Sequence, residues 1–108
     1  GAFWLPSWLQ ALDYTASLFR RKRKYDQKPS EVAKNHIKVS PFAGEPVGWI
    51  IENVGSGMLV FASDYPHPEG TSDPIGKFEA KMKSCDEATM EAFYHGNMEE
   101  LMGITLRK

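Results

Sequence analysis

Cysteine is almost absent from this 108-residue sequence, where Cys85 stands alone. A single thiol excludes an internal disulfide framework and any zinc cage built from cysteines, and it fits a reducing, cytoplasmic setting. Long apolar runs are missing as well. Nothing approaches the roughly 18 residues of a membrane span, and Gly1-Ala2-Phe3-Trp4 has neither the basic start nor the apolar stretch of a secretory leader. Charge of one sign is also lacking. Thirteen Lys and Arg against fourteen Asp and Glu leave a formal net charge of −1, so no global field draws the chain toward nucleic acid or an anionic membrane. A Gly-rich phosphate loop, an HExxH pair and a GxSxG elbow are absent. The first residue is Gly1 rather than methionine, which reads as a chain processed or cut from something longer.

What is present suits one globular unit. The hydrophobic fraction is 42% and the charged fraction 25%, values ordinary for a soluble domain. The length is that of a single domain, and far below the about 250 residues of a complete (β/α)8 barrel.

From Leu5 to about Tyr25 the residues Leu5, Trp8, Leu9, Leu12, Ala16 and Phe19 repeat at helical spacing, with Pro6 suited to the first turn. The run Arg20-Arg21-Lys22-Arg23-Lys24 complements the negative end of that helix dipole. Lys28-Pro29-Ser30-Glu31 opens a short helix to about Asn35, and Ile37–Ser40 alternates as a strand does. Pro46–Val54 carries Val47, Ile50, Ile51 and Val54 at helical spacing and stops at Gly55. Met58–Ala62 is an unbroken apolar run, the pattern of a parallel strand covered on both faces. Asp73 caps a helix with Pro74 at its first position, reaching about Ser84. Ser84 with Glu87, and Asn97 with Glu100, make capping-box signals for two further helices, the last closed by Gly103. Strand, crossover helix and strand form a parallel βαβ unit. Two strands alone leave exposed edges, so the pattern reads as part of a larger parallel structure.

Chemistry concentrates in Ser63-Asp64-Tyr65-Pro66-His67-Pro68-Glu69-Gly70, where the apolar strand breaks into a loop. Parallel sheets and barrels gather their ligands at the carboxyl ends of strands. A carboxylate such as Asp64 can accept a proton or bind a cation there, but Asp is equally at home in turns and caps, and spacing alone leaves both readings open. His67 could hold metal or substrate, or be a surface histidine between prolines. Tyr65 is expected to pack with its hydroxyl near the site. His36 lies before the first strand, at its amino end, and His95 in a late helix where packing or capping explains it. Cys85 lies at a helix junction between Ser84 and Asp86, neither of them basic, and reads as an inert thiol.

The string Leu59-Val60-Phe61-Ala62-Ser63-Asp64-Tyr65-Pro66-His67-Pro68-Glu69-Gly70 resembles the last-strand signature of the amidohydrolase-related family, in the branch that includes aminocarboxymuconate-semialdehyde decarboxylase. Gly1-Ala2-Phe3-Trp4-Leu5-Pro6 with Leu12-Asp13, Lys28-Pro29-Ser30-Glu31, Pro46-Val47-Gly48, and Phe93-Tyr94-His95-Gly96-Asn97 with Leu101-Met102-Gly103-Ile104 resemble further segments of that family in the same order. The resemblance implies an α/β fold, the carboxy-terminal fragment of a (β/α)8 TIM barrel, with Ile37–Ser40 as strand seven and Met58–Ser63 as strand eight. It implies hydrolysis or decarboxylation of a small carbonyl or carboxylate substrate with a divalent metal, zinc foremost. Asp64 would end strand eight and contact the metal or its bound water, His67 would join the catalytic set, and Tyr65 would line the site. The family's paired histidines after strand one, and those on its middle strands, have no counterpart here. This chain alone is therefore expected to be inactive, and to associate with itself or with the missing amino-terminal part of the barrel. The rival expectation is a non-catalytic barrel remnant that serves as an interaction module.

Overall fold

The computed structural model describes residues 1–19 and 27–104, so the basic run at Arg20–Lys24 lies outside the described residues. The order is α1 (Leu5–Phe19), α2 (Pro29–His36), α3 (Val47–Val54), α4 (Pro74–Lys81), α5 (Glu87–Glu91), a π-helical turn (Ala92–Gly96) and α6 (Asn97–Met102). None of these helices is long and apolar enough to cross a membrane.

The two expected strands are corrected to a single rung. Among the described residues the β structure is one parallel bridge, Val39 with Leu59. Its two bonds are Val39 N–H to the Met58 carbonyl at 2.8 Å and Val60 N–H to the Val39 carbonyl at 3.0 Å. The next rung toward the carboxyl end would need an N–H at position 41, and Pro41 has none. On the other side, the Ile37 N–H is already given to the Ala33 carbonyl, closing α2. The segments are thus adjacent and parallel, with α3 between them in sequence, but they do not propagate into strands.

The outer edge of the second segment is also engaged. Phe61 N–H donates to the Phe93 carbonyl at 3.1 Å. The buried Asn97 amide donates to the carbonyls of Leu59 at 2.8 Å and Ser56 at 2.7 Å. Asn97 is therefore not the N-cap its sequence context suggests. Its backbone is helical, and α5, the π turn and α6 run on without a break. Asp86 rather than Ser84 caps α5, accepting from Thr89 N–H at 2.8 Å, while the Ser84 hydroxyl turns to Glu52.

The core joins α3 to the bridge and the carboxy-terminal helices. Val47, Ile50, Ile51 and Val54 are all buried, as their spacing requires. Gly48 allows α4 to press against α3, because a Cβ there would stand 2.7 Å from the Lys81 carbonyl oxygen. Phe61 packs edge-on against Phe78, Phe93 and Tyr94 with centroids 5.2 to 6.0 Å apart, a spacing at which ring pairs add about 0.5–1.5 kcal/mol beyond their burial. The α1 stripe is buried only at its start. Leu5 and Leu9 are in the core, Trp8 and Leu12 are half-buried, and Phe19 is exposed. Asp13 on α1 accepts both the backbone N–H and the hydroxyl of Ser30, doing for α2 what its own N-cap, Lys28, does not.

Candidate functional site

The apolar run is covered only over Met58, Leu59 and Val60. Phe61 is half-buried and Ala62 is exposed, so the chain reaches Asp64 already open to solvent on one side. Asp64 then takes φ 54°, the left-handed region that Asp adopts more readily than most residues. That reversal ends the extended segment and starts a compact loop. Asp64 presents its carbonyl to the His67 N–H at 3.0 Å, and the His67 carbonyl accepts from Gly70 N–H at 2.9 Å. The Ser63 carbonyl accepts from Thr71 N–H at 3.0 Å, closing the loop on itself. The Tyr65–Pro66 peptide bond is cis. Gly70 is required here, because a Cβ on it would fall 2.1 Å from the Asp64 carbonyl oxygen.

The three residues singled out from sequence sit on this loop but do not converge. Asp64 is half-buried, while Tyr65 and His67 are exposed. Tyr65 is 65% exposed, so the packing expected of it is not made within this chain. The hydrogen bonds seen for His67 are made by its backbone N–H and carbonyl. Asp64 is not spent as a helix cap, because Asp73 fills that place at α4 by accepting from Gly76 N–H. Among the described residues no group of three His, Cys, Asp or Glu is arranged to hold a metal ion. A catalytic zinc site takes about three protein ligands and an open position, so the residues present do not form one.

The remaining histidines have structural surroundings. His95 pairs with Glu99 one turn on, and His36 ends α2. Cys85 is half-buried, and burial raises its thiol pKa above the usual value, which keeps it in the unreactive form.

A cleft of about 580 Å³ opens beside the loop, and sequence reasoning missed it. One wall is Phe42–Glu45, the loop after the first β segment. The other is Pro68–Thr71, the loop after the second, with Lys77 and Lys81 of α4 at its side. The lysine spacing of four was a signal in the sequence. The return of the Asp64 loop over Gly70 to the neighbourhood of Gly44 was not. Glu45 fixes the first wall by accepting the N–H groups of Ala2, Phe3 and Phe42 at 2.7 to 3.1 Å.

No protein-family model matches the chain, and none of the curated proteins does. Solved structures do. The amidohydrolase map2389c from Mycobacterium avium subsp. paratuberculosis K-10 superposes with a TM-score of 0.79 at 22% sequence identity, over 95% of this chain and 26% of that one. The chain shares the fold of part of that protein and spans about a quarter of its length.

Proposed function

We propose that this chain is the carboxy-terminal part of a metal-dependent amidohydrolase-type (β/α)8 barrel, its two β segments standing at the places of strands seven and eight, and that Asp64 serves the parent reaction. The observation that carries the reading is the placement of Asp64. A buried apolar segment, paired in parallel with the preceding one, ends in a left-handed aspartate whose side chain is neither a cap nor an ion-pair partner. Catalytic groups of such barrels stand at the carboxyl ends of the strands. Incompleteness fits as well. The radius of gyration is 15.4 Å, against about 13 Å for a compact domain of this length.

The parent reaction would be hydrolysis or decarboxylation of a small carbonyl or carboxylate substrate. A divalent cation, zinc foremost, would supply Lewis acidity there, with its other ligands on the rest of the barrel. Asp64 would take up or return a proton at its carboxylate, and Tyr65 and His67 would line the mouth from the exposed loop. In the complete enzyme, Asp64→Asn keeps the size of the side chain and removes its charge and basicity. Turnover should fall about a hundredfold or more, the scale of lost general acid–base catalysis. Wild-type turnover in that variant with metal saturating would reduce Asp64 to a turn residue.

A second reading has an observation of its own. Phe3, Trp4 and Trp49 are 47 to 58% exposed, and Phe3 stacks edge-on against Trp49 at 5.6 Å. An interaction module would bury such a face against a second copy or a partner protein. Sedimentation of the chain tests its self-associating form, and a monodisperse monomer removes that form.

A further inference from the structure

The two outer edges of the parallel pair are unlike. Between the segments Val39 makes the rung, its N–H going to the Met58 carbonyl and its carbonyl accepting from Val60 N–H. In extended backbone the N–H and C=O of one residue point to the same side, and those of its neighbours to the other. The outward groups of the first segment are therefore those of Lys38 and Ser40. They make no backbone hydrogen bond among the described residues. The outward groups of the second segment are those of Leu59 and Phe61, and these are engaged. The Leu59 carbonyl accepts from the Asn97 amide at 2.8 Å, and the Phe61 N–H donates to the Phe93 carbonyl at 3.1 Å.

A parallel strand on this edge would use the same two groups. One of its residues would give its N–H to Leu59 and accept from Phe61 with its carbonyl. Asn97 and Phe93 together stand in for that residue. The π-helical turn makes the substitution possible. The Asn97 N–H goes to the Ala92 carbonyl, five residues back, instead of to Phe93, so the Phe93 carbonyl is released from the ordinary helical bond to meet Phe61. Asn97 is only 4% exposed and its amide also holds the Ser56 carbonyl, which anchors the segment at a second point.

We propose that the π turn and α6 form a strap that masks a docking edge for a second copy of this chain. With the strap displaced, the Leu59–Phe61 edge of one copy can receive the open Lys38–Ser40 edge of another in parallel. Ser40 would then donate its N–H to Leu59 of the other copy and accept from that copy's Phe61. A second copy is the occupant because the two edges are complementary and one chain carries both. The contact is head-to-tail, so each added copy presents a fresh edge and growth has no natural stop. Exposed strand edges template such growth, and covering one with a helix prevents it. The inference concerns assembly alone. It does not rest on the barrel reading, and its test reads no turnover.

Sedimentation of the full chain over a concentration series, with amide exchange at Phe61, provides the test. The wild type should reach a fixed size, whether monomer or closed dimer. Asn97→Ala takes the donor from both carbonyls. Protection at Phe61 should fall about tenfold or more in dilute solution, and the average mass should keep rising with concentration. Adding Ser40→Pro should return the mass to the wild-type value, because proline removes the N–H of the open edge and leaves the Val39 rung intact. Ile51→Val, a core change in α3, should stay at the wild-type size, which separates edge release from general destabilisation. If Asn97→Ala does not fold, Asn97→Gln, whose amide lies one methylene out of place, serves instead. Four results each overturn the proposal: unlimited growth of the wild type, no growth in the Asn97 variant, growth that Ser40→Pro does not stop, or equal growth in Ile51→Val.

Discussion

The two ends of the parallel pair are built on opposite principles. At the amino end the Lys38 and Asn97 side chains are both paired. The Lys38 ammonium, on a side chain only 5% exposed, donates to the Gly57 carbonyl at 2.6 Å and sits 3.4 Å from Glu100. Asn97 closes the carbonyls of Ser56 and Leu59. At the carboxyl end the loop bonds within itself, and no side-chain hydrogen bond is seen for Asp64, Tyr65, His67 or Glu69 among the described residues. Burying a satisfied network stabilises, and leaving groups unspent keeps them available for a ligand. One end holds the fold and the other is free to act, the same division found between the two faces of parallel barrels.

The largest expected effect tests the closed region. Phe78 is fully buried and touches both Phe61 and Phe93. Phe78→Ala should cost about 3–5 kcal/mol in a urea melt, through lost transfer energy and the cavity left behind. A loss under about 1 kcal/mol would show that the ring cluster is not the core that supports the loop.

Asn97→Ala is expected to cost less, about 1–3 kcal/mol, because two carbonyls lose their donor while the helix keeps a good former. Asn97→Asp should be at least as damaging, since a carboxylate offers no donor to either carbonyl. Hydrogen exchange at Phe61 is the sharper readout. Its N–H to the Phe93 carbonyl depends on the same register, so protection there should fall with Asn97→Ala. Unchanged protection would mean that the outer edge is held by Phe93 alone.

How far the sequence was legible follows the same division. Helical periodicity located α3 and the start of α1, because burial enforces it, and Asp73-Pro74 and Gly103 announced their cap and stop through local backbone chemistry. Burial along Met58–Val60 was visible in the apolar run. Its pairing was not, because a ladder depends on a partner, and Pro41 removes the donor that the next rung needs. Asn97 misled for a similar reason. In sequence it has the pattern of a capping box, and only the fold brings the carbonyls of residues 56 and 59 within reach of its amide. Asp64 is singled out by its position after the apolar run together with a family resemblance. The cleft was invisible because its two loop walls, Phe42–Glu45 and Pro68–Thr71, are far apart in sequence.

Asp64→Gly sharpens the comparison with an effect of opposite sign. A left-handed backbone costs an ordinary L-residue about 1–2 kcal/mol, less for Asp, and glycine almost nothing. The side chain makes no hydrogen bond that the change would break. Stability should therefore hold or rise by up to about 1 kcal/mol, while turnover of the complete enzyme falls as in Asp64→Asn. A clear destabilisation would mean that the carboxylate supports the loop, and that the open end is not as unspent as proposed.

The smallest effect is acid sensitivity, and it should belong to the helix caps. Asp13 and Asp86 both have pKa values lowered below the usual carboxylate value. The main cause in each case is the hydrogen bond the ionised side chain accepts, from Ser30 for Asp13 and from Thr89 for Asp86. A folded pKa below the unfolded one means that the folded state holds the proton less tightly. Each group then stabilises the fold above its unfolded pKa, and that contribution is lost as pH falls through the depressed folded value. Asp13 is only half-buried and Asp86 is exposed, so water and salt screen the effect and it stays small. The melting midpoint should be flat from neutrality to about pH 5 and decline below the ordinary carboxylate range near pH 4. Asn caps nearly as well as Asp and does not titrate. Asp13→Asn and Asp86→Asn should therefore lower the plateau slightly and flatten the acid limb, and the double variant should flatten it further. The two sites share no partner, so their effects should add. Midpoint curves that run parallel to the wild type down to pH 3 would move the acid response away from the caps and toward the unpaired carboxylates of the loop.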